Sequence, residues 1–219
     1  MCENKDSHRC VLHRFAAGRG GRQVFDMMKK LRYGNTNTFF VDGLLVDTDY
    51  AGTLGAFYRE LKRNGLGLAD IKYVLVTHWH PDHAGLAGEL QKQGVKLLLI
   101  DVQKDSVRFP DRIFEKDGLA YVKVDETKAR VISCSESRAF LAELEIDGEI
   151  VHTPSHSEDS VTLILDNGDC FAGDLEPFEY VEAYGPDERG ELEKDRETVL
   201  AHRPKRIFYA HRPEILYAK

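Results

Sequence analysis

Three histidines and an aspartate fall within one hexapeptide, His78-Trp79-His80-Pro81-Asp82-His83. Imidazole nitrogen and carboxylate oxygen are the donors that suit zinc and similar divalent ions. In an extended segment alternate side chains share a side, so His78 and His80 can grip one ion together. Where the chain turns into a helix at Asp82, that carboxylate and His83 are directed towards a second position. The hexapeptide cannot complete two coordination spheres alone, so further donors are expected elsewhere. They stand just past strand-like runs: His156 in Thr153-Pro-Ser-His156, Asp174 in Ala172-Gly-Asp174, and His211 after Ala210. Loops leaving a rigid sheet can bring such groups to one cleft.

The elements that must position these donors are legible in the hydrophobic periodicity. Residues 37–41 and 44–48 are apolar runs joined by Asp42-Gly43, a pair favoured in tight hairpins. Residues 52–64 carry Leu54, Phe57, Tyr58 and Leu61 at helical spacing and stop at Gly65. Residues 71–77 read as a buried strand, 82–93 as a helix closed by Gly94, and 95–100 as the next strand. A less regular middle containing Phe109-Pro110 precedes a helix over 136–144. Residues 149–153, 160–165 and 169–172 read as strands, the last two joined by Asp166-Asn-Gly168. A helix over 190–201 and a strand over 206–210 follow. Hairpins and crossovers together imply a mixed α and β architecture.

The order His78-x-His80-x-Asp82-His83, His156, Asp174, His211 resembles the metallo-β-lactamase superfamily, specifically its dinuclear hydrolase branch. The resemblance runs from Asn35 to His211 and includes Leu44-Leu-Val-Asp-Thr48, which is similar to that family's early strand ending in Asp-Thr-Gly. It implies an α+β fold, a four-layer αββα sandwich of two mixed β-sheets, with metals at the open edge between them. It also implies that His78, His80 and His156 bind one ion, that Asp82, His83 and His211 bind the other, and that Asp174 bridges both. Asp82 and Asp174 are then the candidate catalytic carboxylates. This chain departs from the family pattern at Ser155 and Asp49, each of which stands where glycine is usual.

The 219 residues, 42% of them hydrophobic, suffice for one large domain or at most two small ones. No repeat or Pro/Gly/Ser linker divides them, so a single domain over 1–219 is expected, with 1–22 as a basic, irregular N-terminal extension. The apolar runs are far shorter than the roughly 20 residues of a membrane-spanning helix, and residues 1–10 are too polar for a secretory signal. Cys2, Cys10, Cys134 and Cys170 lack C-x-x-C spacing. A reducing cytoplasm is the expected compartment. The net charge of −7 disfavours nonspecific nucleic-acid binding.

Other residues invite plainer readings. His152 suits a structural hydrogen bond, His8, His13 and His202 sit in polar surroundings, and Cys170 reads as a small buried hydrophobe. Trp79 and Pro81 shape the loop between donors. Tyr180 and Tyr184 lie in an acidic segment over 176–195 that either overhangs the cleft or forms a solvated face. Arg212 is placed for a substrate anion or for a surface ion pair.

The expected function is a metal-dependent hydrolase. In it a hydroxide bridging two divalent ions cleaves an ester, thioester, lactone or phosphoester of a small substrate. Zinc is the expected metal, with manganese or iron as alternatives. The bridging aspartate argues against a true β-lactamase. Two other readings remain: an iron-dependent dioxygenase of the same fold, and a non-catalytic metal-binding member. No nucleic-acid or membrane partner is expected, and the sequence leaves the oligomeric state open.

Overall fold

The computed structural model describes residues 28–217; the expected 1–22 extension, Cys2, Cys10, His8 and His13 lie outside them. One sheet holds, in spatial order, β1 (Lys29–Arg32), β2 (Asn37–Val41), β3 (Leu44–Val46), β4 (Tyr73–Leu75), β5 (Lys96–Ile100) and β6 (Arg130–Ile132). Its first two pairings are antiparallel and its last three parallel. The second sheet runs β11 (Ile215–Leu216), β10 (Arg206–Phe208), β9 (Asp169–Phe171), β8 (Val161–Leu165), β7 (Gly148–His152). Only its β9–β10 pair is parallel. Both sheets are therefore mixed.

Side-chain alternation explains why the sheets stack. Phe39, Val41, Leu44, Val46 and Leu98 face Ile150, Leu163, Phe171 and Phe208 in one apolar layer. The Phe39 ring packs on those of Phe171 and Phe208 with centroids 5.0 and 5.4 Å apart. Their strand neighbours point the other way, as the pleat requires. Phe40, Leu45, Leu97 and Leu99 meet Phe57 and Leu61 of α1 (Leu54–Arg63) and Leu90 of α3 (Ala87–Lys92), which follows the short α2 (Pro81–Ala84). On the far side Ile164, Cys170 and Ile207 meet Leu192 and Val199 of α6 (Pro186–Ala201). The result is an αββα sandwich. Each fully buried aliphatic or aromatic side chain contributes about 1.5–3 kcal/mol through burial alone.

Several elements differ from the sequence expectation. The helix over 82–93 is two pieces, α2 and α3. The His83 carbonyl, which would accept from residue 87 in a continuous helix, is taken by the Thr48 backbone N–H at 2.9 Å and the Thr48 hydroxyl at 2.7 Å. A tertiary contact thus ends the helix one turn after it begins. The irregular middle contains α4 (Phe109–Asp117) and β6. Pro110 sits in the first turn of α4, where a missing N–H is harmless. Another helix, α5 (Ser137–Glu143), closes the inner core with Phe140 and Leu141. Strands β1 and β11 at the sheet edges carry no strong alternation and are legible only from their pairing. Among the described residues no helix is long and apolar enough to cross a membrane.

Candidate metal centre

The donors follow the C-terminal ends of four strands. His78, His80, Asp82 and His83 come after β4, His156 after β7, Asp174 after β9 and His211 after β10. The loops that carry them are pinned across the gap between sheets. The Val161 N–H donates to the Thr77 carbonyl at 2.8 Å, and the Asn37 N–H to the Ala210 carbonyl at 2.7 Å. The Asn37 amide also donates to the Tyr209 and Arg212 carbonyls at 2.9 and 3.2 Å, clasping His211 from both sides. Gln103, fully buried, donates to the carbonyls of Val76 and Asp159 at 2.8 and 3.2 Å. Gly173, immediately before Asp174, takes φ +55, and a Cβ there would lie 2.4 Å from the Thr77 hydroxyl. Only glycine permits both that backbone and that approach.

All seven expected donors converge. His78, His80 and His156 form one group, Asp82, His83 and His211 a second, and His78, His83 and Asp174 a third that joins them; within each, the donor atoms lie within 4.8 Å of one another. Asp174 Oδ2 lies 3.3 Å from His83 Nε2, 3.8 Å from His156 Nε2 and 3.9 Å from His78 Nε2. Its other oxygen, Oδ1, lies 3.4 Å from His211 Nε2, and Asp82 Oδ2 lies 3.0 Å from that same nitrogen. Donors about 2.1 Å from a shared tetrahedral ion stand about 3.4 Å apart. These separations fit cation binding.

Outer contacts orient the rings. His83 directs Nδ1 at Asp47 Oδ2, 3.0 Å away, and His211 Nδ1 lies 3.3 Å from the Asn35 carbonyl. The Thr77 hydroxyl donates to Asp47 at 2.8 Å, so its oxygen is free to accept from His78 Nδ1 at 3.3 Å. In each case Nε2 is left to face the other donors, the arrangement that fixes tautomer and ring in metal sites. His78 Nε2 is buried and has no hydrogen-bond partner. A cation bound among the donors would satisfy it.

Protonation follows from this crowding. Burial, reinforced by the neighbouring imidazoles, holds His78 well below the usual histidine range, and burial also lowers His80 and His156. These rings therefore offer lone pairs. Burial alone would raise the Asp82 carboxyl, yet its contacts with His211 and His83 outweigh that and bring it down to about 2. Asp174 is likewise lowered against burial, first by His83. Burial would also lower His83, but Asp47 and Asp174 outweigh it and lift the ring to about 10. A cation entering this half would compete with that proton for the His83 ring.

The remaining sequence readings fall into place. Ser155 avoids positive φ, and its N–H donates to buried Asp195 on α6 at 2.7 Å. Asp49 is buried and also free of left-handed backbone. Trp79 packs in the core; its backbone N–H donates to Asp159 at 2.7 Å. His152 contacts the Glu158 carbonyl at 2.7 Å. His202, expected in polar surroundings, is held by specific contacts, with Nδ1 2.8 Å from the Thr198 carbonyl and Nε2 3.3 Å from Glu149. Cys170 is buried, its thiol pushed up to about 12 by burial. Arg212 lies 3.5 Å from Glu176 and over the exposed Tyr180 ring. A cavity of about 200 Å³ beside Asp174 is lined by Tyr184, Leu192 and Glu176. A second, of about 150 Å³, reaches Arg212.

The resemblance already took in Asp47, within Leu44-Leu-Val-Asp-Thr48, but sequence reasoning gave it no role and missed Thr77, Asn37, Gln103, Asp159 and Asp195, which act on the donors from behind. The one available signal was polarity at otherwise apolar strand ends. In the structure Asp47 is a buried non-glycine residue at φ 59.

The sequence profile of the metallo-beta-lactamase superfamily matches residues 31–211, and the chain belongs to that superfamily. Its members are mostly hydrolases. The chain is 28% identical over 186 residues to the beta-lactamase-like protein 2 homolog of Drosophila melanogaster, covering 80% of this chain. It spans only 58% of the fly protein's length. A probable metallo-hydrolase of Methanocaldococcus jannaschii is 27% identical over 147 residues, covering 64% of this chain and 68% of its own. Among solved structures, a protein in a di-iron-bound form superposes with a TM-score of 0.64 at 21% identity, covering 87% of this chain and 94% of its own. At that identity the likeness concerns the fold.

Proposed function

We propose that this protein is a dinuclear metal-dependent hydrolase acting on an ester, thioester, lactone or phosphoester of a small molecule. The observation that carries the proposal is the Asp174 carboxylate: one oxygen faces His211, and the other faces His78, His83 and His156. His78, His80 and His156 would hold one ion, Asp82, His83 and His211 the other, and Asp174 both. Two divalent ions would supply a nucleophile from water near neutral pH and polarise the bond under attack. Asp174 would orient that nucleophile and take up its proton, while Asp82 would add the carboxylate to the donors of the second ion. Zinc suits the nitrogen-rich donor set, with manganese or iron as alternatives.

The cavities beside Asp174 are of small-molecule size, and their cationic side chain Arg212 stands next to Glu176. That composition suits a small substrate better than a long polyanion. The decisive experiment is metal analysis of protein purified without added metal, followed by assays with thioester, lactone, phosphodiester and β-lactam substrates. About two zinc ions per chain, and turnover removed by chelation and restored by metal, are expected. One iron per chain with oxygen consumption and no hydrolysis would overturn the proposal in favour of the dioxygenase.

A further inference from the structure

The short segment Gly34-Asn35-Thr36 touches the site at two points. The Asn35 carbonyl lies 3.3 Å from His211 Nδ1, and the Thr36 hydroxyl donates to the Asp82 carbonyl at 2.7 Å. His211 and Asp82 belong to the same group of donors. The segment is itself held by one carboxylate. Asp49 Oδ2 accepts the Thr36 N–H at 3.1 Å, and Asp49 Oδ1 accepts the Tyr50 N–H at 2.6 Å. Asp49 is only 2% exposed, so these donors rather than water satisfy it. The fit is close: a Cβ at Gly34 would lie 2.0 Å from Asp49 Oδ2. The neighbouring Thr48 reaches the carbonyl of His83, the third donor of the group.

From this geometry we propose that Asp49 is a positioning residue for the Asp82–His83–His211 half of the centre. It acts through the 34–36 segment, and the proposal rests on the dinuclear reading above. Asp49 touches neither donor directly. It fixes the carbonyl that sets the His211 ring and the hydroxyl that anchors the Asp82 backbone. The His78–His80–His156 half has no such link to Asp49; its supports are Thr77, Asp159 and Asp195. Loss of Asp49 should therefore separate the two ions in affinity.

The test is zinc titration of metal-free protein, wild type beside Asp49→Asn. Asparagine keeps the shape but sets an amide group against one of the two backbone N–H donors. The wild type should bind two ions. Asp49→Asn should bind the first unchanged and the second on the order of 10-fold more weakly, as for other outer contacts of metal ligands. Thr36→Val, which removes only the hydroxyl, should weaken the second ion by less, and Thr36→Ser should restore it. Should Asp49→Asn fail to fold, the Thr36 pair carries the test. Equal weakening of both ions, or of neither, would overturn the proposal while leaving the dinuclear reading intact. A wild type that binds fewer than two ions would bring down the dinuclear reading, and this proposal with it.

Discussion

The two halves of the candidate metal centre are built from different materials. The His78–His80–His156 half is all imidazole, and burial keeps those rings neutral. The Asp82–His83–His211 half includes a carboxylate, and Asp47 stands behind His83. The first therefore offers ready lone pairs with little charge, and the second offers negative charge that protons also seek. A lone cation gains more Coulomb energy in the second half but must compete there with bound protons. Asp174 is the one carboxylate among these donors that lies within 4 Å of members of both groups, which suits it to join the two halves.

Removing that link should have the largest effect. Asp174→Ala should fold, retain one ion per chain and lose on the order of 10³-fold in kcat/KM, the equivalent of about 4 kcal/mol of transition-state stabilisation. Metal content and turnover on the same preparation check it. Two tightly held ions with full activity would show that the halves are not joined through this residue.

Asp47→Ala should sharpen the contrast. His83 and the Thr77 N–H and hydroxyl would lose their shared acceptor. The second ion should weaken about 10–100-fold and the first by less, through the loosened Thr77 contact with His78, and stability should fall by about 1–3 kcal/mol. Competition with a chromophoric chelator, together with denaturant unfolding, reads both. Asp195→Ala addresses the opposite half through one backbone contact at Ser155. It should weaken the ion held by His156 by less than about 10-fold and leave the other unchanged. Equal loss of both ions in Asp195→Ala would dissolve the distinction.

The smallest effect is expected far from the donors. Arg138 bridges Glu149 at 2.7 Å and Asp166 at 2.9 Å on the surface. Arg138→Ala should cost within about 1 kcal/mol and leave metal stoichiometry and turnover as they were.

Legibility in the sequence followed distance along the chain. The hexapeptide announces itself because its donors are adjacent, and His156, Asp174 and His211 stand out as chemistry placed directly after apolar runs. The supports do not, because each pairs with a residue remote in sequence: Asp47 with Thr77 and His83, Asn37 with Tyr209, Gln103 with Asp159. Periodicity cannot report such pairs. The interrupted helix after Asp82 has the same origin, since Thr48 occupies a carbonyl that local propensity assigns to residue 87. In contrast, Phe109-Pro110 misled through local chemistry, because a proline that breaks a helix interior also begins a helix well.

The backbone ties between the sheets carry a kinetic consequence. The amides of Asn37 and Val161 are each bonded across the gap at the donor end, to the carbonyls of Ala210 and Thr77 respectively. Deuterium should reach them only when the sheets part, so their protection should track global unfolding rather than local fraying. It should be present before any metal is added. Loading the centre would then be docking into a finished socket, with a rate governed by ion access and proton release rather than by chain rearrangement.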